Sequence, residues 1–228
     1  MHQLNKTLST DLEVYSDTFD PVSRIDPKIL QALSKEVQRS GENLEGNLFF
    51  NHHATDLNKL CYDDWAKNKR KSYSGFALAH NVAFEIGFNA GHSALLALSI
   101  NKNLKLIAID IAEHKYTAGC YQILKEVFGS RLELFSANSL TLPVIKPFIP
   151  ENTTLFHIDG GHHPMIAATD MANIMSFAKE GSIIVFDDTT LGALRSIVNF
   201  YMASGKVSLI FDPLGPFEYR SHMALRVN

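Results

Sequence analysis

Cysteine is scarce in this 228-residue chain, which has only Cys61 and Cys120. The two show no metal-binding or redox spacing, so a disulfide framework is not expected and a reducing, cytoplasmic setting is. No run is long and apolar enough to span a bilayer. The first residues, Met1-His2-Gln3-Leu4-Asn5-Lys6, lack the charged-then-apolar order of a secretion signal. Positive charge is not in excess: 21 Lys and Arg against 24 Asp and Glu give a net charge of −3. That balance offers no footprint for nucleic acid or an anionic membrane, so neither is expected as a partner. Internal repeats and low-complexity tracts are missing too. What remains, 46% apolar and 20% charged, is the make-up of a globular protein with room for one α/β domain and an appendage.

The chain is organised around residues 81–100. Val82-Ala83-Phe84-Glu85-Ile86 is a short apolar run, Gly87-Phe88-Asn89-Ala90-Gly91 a glycine-bearing turn, and Ser93 to Leu98 a run of helix formers. The order reads strand, tight turn, helix. A helix N-terminus presents free N–H groups and partial positive charge, which suits an anionic group of a ligand. Leu104 to Ile109 is a second apolar strand ending in Asp110, about 20 residues beyond the turn, where nucleotide-binding units place a carboxylate on ribose hydroxyls. A ligand-free structural turn and a solvated strand-end acid are the plainer readings of the two features taken singly.

Glu85-Ile86-Gly87-Phe88-Asn89-Ala90-Gly91 resembles the first motif of class I S-adenosylmethionine-dependent methyltransferases, E-x-G-x-x-x-G after the first strand. Continued to Leu98, the phrase resembles their small-molecule O-methyltransferase branch. Asn89 stands where a middle glycine is usual, and asparagine tolerates left-handed backbone. The resemblance implies S-adenosylmethionine as cofactor, contacted by Glu85, Gly87, Asn89, Gly91 and Asp110. A dinucleotide fingerprint would read G-x-G-x-x-G. The spacing here departs from it, leaving a nicotinamide cofactor as the runner-up.

Around this unit the pattern alternates. Asp26 caps a helix that opens on Pro27 and stops near Gly41. Residues 54–65 look helical, continuing towards Lys71, and Ser72-Tyr73-Ser74-Gly75 reads as a loop. Lys67, Lys69, Arg70 and Lys71 read as a solvated helix end, with attraction of an anionic substrate as the alternative. After Asp110 come a helix over 116–128, a strand over 131–136, a short Pro-broken helix over 140–148, a strand over 153–158 and a helix over 164–178. A strand over 182–186, a helix over 191–202 and two closing antiparallel strands over 207–211 and 223–227 follow. Strands alternating with helices predict an α/β fold: a Rossmann-like, seven-stranded, mostly parallel sheet with helices on both faces and an antiparallel last strand. Residues 81–228 are expected to form this domain. Residues 1–80 are expected as a helical cap which, by the resemblance, covers the site and builds a homodimer contact.

In such sheets ligands sit outside the carboxyl ends of the strands. The third strand runs into Asn138-Ser139, in the loop that holds adenine in the resembling family; both are also ordinary turn residues. The fourth ends Asp159-Gly160-Gly161-His162-His163, and the fifth ends Asp187-Asp188. If these strands are neighbours, about 4.8 Å apart, Asp159 and one or both of the paired acids reach one hard divalent cation, for which oxygen ligands suit Mg, Ca or Mn. The alternative is that Asp187 and Asp188 cap the helix that follows. Asp159-Gly160-Gly161-His162-His163 and Asp187-Asp188 resemble the metal motifs of divalent-cation-dependent O-methyltransferases. Carried over, Asp159, Asp187 and Asp188 are metal ligands, Mg above all, and His162 is the base that takes the proton of a small hydroxylated substrate. His163 is expected to be structural, and His52, His53, His80, His92 and His222 have no spacing that singles them out. A hydroxylase-like relative with iron in the same residues, and a cofactor-binding protein without turnover, are the alternative functions.

Overall fold

The computed structural model describes residues 20–51, 56–211 and 222–228. The strands are β1 (Val82–Ile86), β2 (Lys105–Asp110), β3 (Leu132–Ser136), β4 (Leu155–Ile158), β5 (Ile183–Phe186), β6 (Val207–Phe211) and β7 (Met223–Val227). They form one sheet in the order β3-β2-β1-β4-β5-β7-β6. β7 is antiparallel to both its neighbours, β5 and β6, while the pairs among β1 to β5 are parallel. β1, β4 and β5 are buried at every position. This is why they read as unbroken apolar runs: helices cover both faces of the sheet.

The helices are α1 (Pro27–Ser40), α2 (Asp64–Leu78), α3 (His92–Ile100), α4 (Thr117–Phe128), α5 (Leu142–Ile145), α6 (Pro164–Met175) and α7 (Gly192–Ala203). One face of the sheet carries a core that joins Leu33 and Val37 of α1, Phe49, Phe50, Leu95 of α3 and Leu124 of α4. The other packs Met171 and Ile174 of α6 and Leu194 and Val198 of α7 against Phe84, Phe156 and Ile184. The segments before β1 thus share a core with α3 and α4. Among the described residues no helix is long and apolar enough to cross a membrane. Both cysteines are buried and free.

α1 begins as its sequence dictates, with the Asp26 carboxylate accepting from the Lys28 N–H at 2.9 Å and Gly41 ending it at φ 75°. α2 departs from expectation. The helix starts at Asp64 and runs through Ser72-Tyr73-Ser74-Gly75 to Leu78, where the sequence predicts a loop. The Ser72 hydroxyl donates to the carbonyls of Asn68 and Lys69, at 2.9 and 3.1 Å, so its polar group is satisfied without leaving the helix. The other predicted elements lie within three residues of their expected ends. Residues 1–19, His52, His53, residues 54–55, and Pro213, Gly215 and Pro216 of the last connection lie outside the described residues.

Arg70 is not the solvated helix-end cation expected from its sequence. It is 1% exposed. Its guanidinium donates to Asp20 Oδ1 at 2.8 Å, the Leu48 carbonyl at 2.8 Å and the Cys61 carbonyl at 3.0 Å, and it pairs with Asp20 Oδ2 as well. One buried fork therefore ties three separate segments to α2.

Candidate active site

The strand order reverses between β1 and β4, and the crevice at the carboxyl ends of these strands is where such sheets take their ligands. The glycine turn leaves β1 here. Asp110, at the end of β2, accepts from the Phe88 and Asn89 N–H groups at 2.7 and 2.8 Å through one oxygen and from the Ala112 N–H at 2.6 Å through the other. Asn89 is left-handed, at φ 52°. Its side chain turns away to the N-terminal segment: Oδ1 accepts from the Tyr116 hydroxyl at 2.7 Å and Nδ2 donates to the Glu45 carbonyl. Gly87 has φ 93°, and a Cβ there would stand 1.9 Å from the Asp159 carbonyl oxygen. The glycine is therefore required by the approach of the β4 loop. α3 begins on Gly91 with no side-chain cap, so its first turn keeps open N–H groups. His92, next along, is buried edge-on against Phe49 and Phe50, with ring centroids at 5.1 and 5.7 Å. Burial pushes its imidazole down to about 3.

Asn138 closes a local turn, accepting from the Leu140 N–H at 2.9 Å. Ser139 is buried, and its carbonyl accepts from Asn173 Nδ2 at 2.5 Å. Their side chains belong to the loop after β3, as the sequence expects, with Asn138 engaged in holding that loop.

The charged groups form two connected sets. Glu85 and His157 are register partners on β1 and β4, and Glu85 Oε1 lies 2.7 Å from His157 Nδ1. His157 Nε2 lies 3.8 Å from Asp187 Oδ2, and the same oxygen is 2.7 Å from Lys69 Nζ. The result is a row of alternating charge from β1 to α2. Lys69, read from the sequence as a solvated cation, is only 10% exposed. Burial opposes the charges of Lys69 and His157, but the neighbouring carboxylates outweigh it. The Lys69 ammonium is held above its ordinary value by Asp187, Asp159 and Asp188, and His157 is raised to about 10 by Asp187 and Glu85. Burial likewise opposes the Asp187 carboxylate, and Lys69 and His157 reverse it to hold that group well below the usual range. Asp159 goes the other way, raised well above the usual range by burial and by the Asp187 charge.

The second set is on the solvent side. His162 Nε2 lies 2.7 Å from Asp188 Oδ2, and this bond, with burial opposing it, raises the half-exposed imidazole to about 9. Neither paired acid caps α7, whose cap residue is Leu191; Asp187 Oδ1 instead accepts from the Asp188 N–H at 2.7 Å. His163 is structural, as expected, and caps α6 by accepting from the Met165 N–H at 3.3 Å. A shallow, partly open cleft lies between the loops after β4 and β5, with Ala167, Phe186 and Leu194 among its apolar lining.

The ligand atoms of His157, Asp159 and Asp187 lie within 4.8 Å of one another, and so do those of Asp159, His162 and Asp188. Asp159 belongs to both groups. The expected metal trio, Asp159, Asp187 and Asp188, is not one such group. A divalent ion on all three carboxylates would have to share Asp187 with the Lys69 ammonium and Asp188 with the His162 imidazole. The side chains present do not fit that trio.

Sequence reasoning missed Lys69, Tyr73, His157 and His222. The Tyr73 ring lies 4.7 Å from that of His157, and the Ser72 hydroxyl 2.8 Å from His222 Nε2. Lys69, Ser72, Tyr73 and Phe76 recur at i, i+3, i+4 and i+7, the spacing of one helix face. That spacing is the signal available, and reading a loop at Ser72 hides it.

Residues 84–189 match the family model of a methyltransferase domain. No curated protein matches the chain in sequence. An O-methyltransferase from Bacillus cereus in complex with S-adenosylhomocysteine superposes with a TM-score of 0.63 at 12% identity, over 88% of this chain and 90% of that one. A methyltransferase from Podospora anserina bound to the same molecule gives 0.60 at 14%, over 86% and 88%. An N-methyltransferase from Bradyrhizobium japonicum, also bound to it, gives 0.55 at 13%, over 87% and 98%. At these identities the likeness is one of fold.

Proposed function

We propose that this chain is a class I S-adenosylmethionine-dependent methyltransferase and that it transfers the methyl group to a hydroxyl oxygen of a small molecule; the domain match over residues 84–189 and the fold support this. The observation that carries the reading is the buried acid and imidazole cluster at the strand switch point, next to the glycine turn. The residues suit the cofactor. The open first turn of α3 is a cradle for its carboxylate. Glu85 Oε2 is buried with no hydrogen-bond partner among the described residues, an acceptor suited to its ammonium. Asp110, followed by the exposed Ile111, is the candidate for ribose and adenine.

The acceptor would enter the cleft with its apolar body against Phe186 and Leu194 and its hydroxyl towards Asp159 and His162. The hydroxyl proton passes to His162 Nδ1 in the fraction of molecules whose imidazole is neutral, because Nε2 keeps its hydrogen on Asp188. The oxygen forms its bond to the methyl carbon as the carbon–sulfur bond breaks, and the sulfur leaves as a neutral thioether. The protein's part is to hold the two reactants in line, exclude water and fix the surrounding charges.

A metal-assisted form is the second reading, favoured by the Asp159, His162 and Asp188 group, whose ligand atoms lie within 4.8 Å of one another. A divalent cation held by these residues would make the acceptor hydroxyl more acidic. Asp187 would stay with Lys69.

Calorimetric titration with S-adenosylmethionine, S-adenosylhomocysteine and NADH tests the cofactor. Binding of the two sulfur nucleotides and not of NADH is expected, and binding of neither removes the proposal. Tritium from the labelled methyl group, followed into a panel of hydroxylated compounds and matching amines, tests the acceptor atom. Label in the amines alone sinks the hydroxyl.

A further inference from the structure

We propose that Lys69 is the built-in cation of this site, occupying the place beside Asp187 that a divalent ion would otherwise take. The proposal deepens the methyltransferase reading and rests on it for the identity of the site. Lys69 is delivered by α2, from outside the matched methyltransferase domain. Its ammonium lies 2.7 Å from Asp187 Oδ2, and both side chains are nearly covered, at 10% and 3% exposed. Surface lysines do not surrender their water for one carboxylate; the pair persists here because the row continues through His157 to Glu85. An ion bound to Asp187 would sit beside this ammonium, two positive centres sharing one carboxylate, in a pocket too dry to screen them.

The charges around the site make the same point. Glu85, Asp159, Asp187 and Asp188 face Lys69, His157 and His162, three cationic partners for four acids. With Asp159 held as the neutral acid, three charged carboxylates already face the three cations, so a divalent ion added to this set over-neutralises it and removing Lys69 lessens that excess. The tethered ammonium thus does what a metal does elsewhere, neutralising the acids next to the reacting oxygen, without an equilibrium for loss. Lys69 acts through Asp187 and His157 and is a positioning residue.

The test is Mn²⁺ binding followed by electron paramagnetic resonance, on the full chain with S-adenosylhomocysteine present. Lys69→Ala opens room for the ion, and Lys69→Met keeps the stem packing in case the alanine variant unfolds. Either variant is expected to bind Mn²⁺ at least about tenfold more tightly than the wild-type chain. Adding Asp187→Asn to it abolishes the gain, and Lys69→Arg stays at the wild-type level. No gain on removing Lys69, or a gain that survives Asp187→Asn, overturns the proposal. Tight Mn²⁺ binding by the wild-type chain that Asp187→Asn destroys overturns it as well. Loss of S-adenosylhomocysteine binding by the wild-type chain strikes the methyltransferase reading instead, and the Mn²⁺ comparison without nucleotide still decides the role of Lys69.

Discussion

Replacing Asp187 by asparagine keeps the volume of the side chain and removes its charge from between two cations. Asp187 Oδ2 is 2.7 Å from Lys69 Nζ and 3.8 Å from His157 Nε2. At the effective dielectric suited to such sites, the two attractions are about 6 and about 4 kcal/mol before desolvation is counted. Most of that offsets the loss of water around the ions. The penalty for stranding the partners remains, about 3 to 5 kcal/mol when one member of a buried pair is removed. Urea unfolding at pH 7 reads it: with a slope of about 2 to 3 kcal/mol per molar, the midpoint should fall by roughly 1 to 2 M. The double variant Lys69→Met, Asp187→Asn removes the stranded ammonium and should be more stable than Asp187→Asn alone, by at least about 1 kcal/mol. A cost below about 1 kcal/mol for the single variant, or simple addition of the two effects, would refute the argument that this pair is buried and interdependent.

Gly87→Ala should abolish binding of S-adenosylhomocysteine and lower the melting temperature, because its Cβ meets the Asp159 carbonyl at 1.9 Å and the residue has φ 93°; unaltered calorimetric affinity would contradict this. The Cε1 proton of His162 should titrate near pH 9 by nuclear magnetic resonance, and in Asp188→Asn it should move towards the ordinary value of about 6.5. A wild-type midpoint near 6.5 would dissolve the pair. His92 and His222 are pushed down to about 3, chiefly by burial, so the unfolded chain binds their protons first. The stability they allow is complete above pH 6.5 and is lost below it, by about 2 kcal/mol for each between pH 7 and pH 5. His92→Phe should remove one of these contributions, seen as a smaller drop in the urea midpoint over that range, and an unchanged pH dependence would count against it.

The sheet was legible because its evidence is local. Val82 to Ile86, Leu106 to Ile109 and Ile183 to Phe186 are buried on both faces, and nothing but an apolar run can occupy such a strand. The turn at Gly87, Asn89 and Gly91 was legible as a glycine-bearing turn between strand and helix, and all three residues have positive φ. The reason behind Gly87 was not legible, since its close neighbour is the Asp159 carbonyl on another strand. α2 was misread at Ser72-Tyr73-Ser74-Gly75, where residues of poor helix propensity are held by hydroxyl bonds to the backbone and by burial. That error carried a second one. A lysine beside other lysines reads as solvated until the helix is seen to lie over Asp187, and a sequence does not say which cations its carboxylates will meet. His157 was hidden in the same way, since a histidine inside a strand shows its partners only once β1 and β4 are in register.

Lys69 and Arg70 are neighbours on α2, about 100° apart around its axis. One is seated in the cluster of acids; the other gathers Asp20, Leu48 and Cys61. Any ligand that tightens the grip on Lys69 therefore also favours the docked form of the segments around Asp20, Leu48 and Cys61, and by reciprocity their docking favours the ligand. Occupancy of the site should be readable far from it, as protection of these segments from a protease.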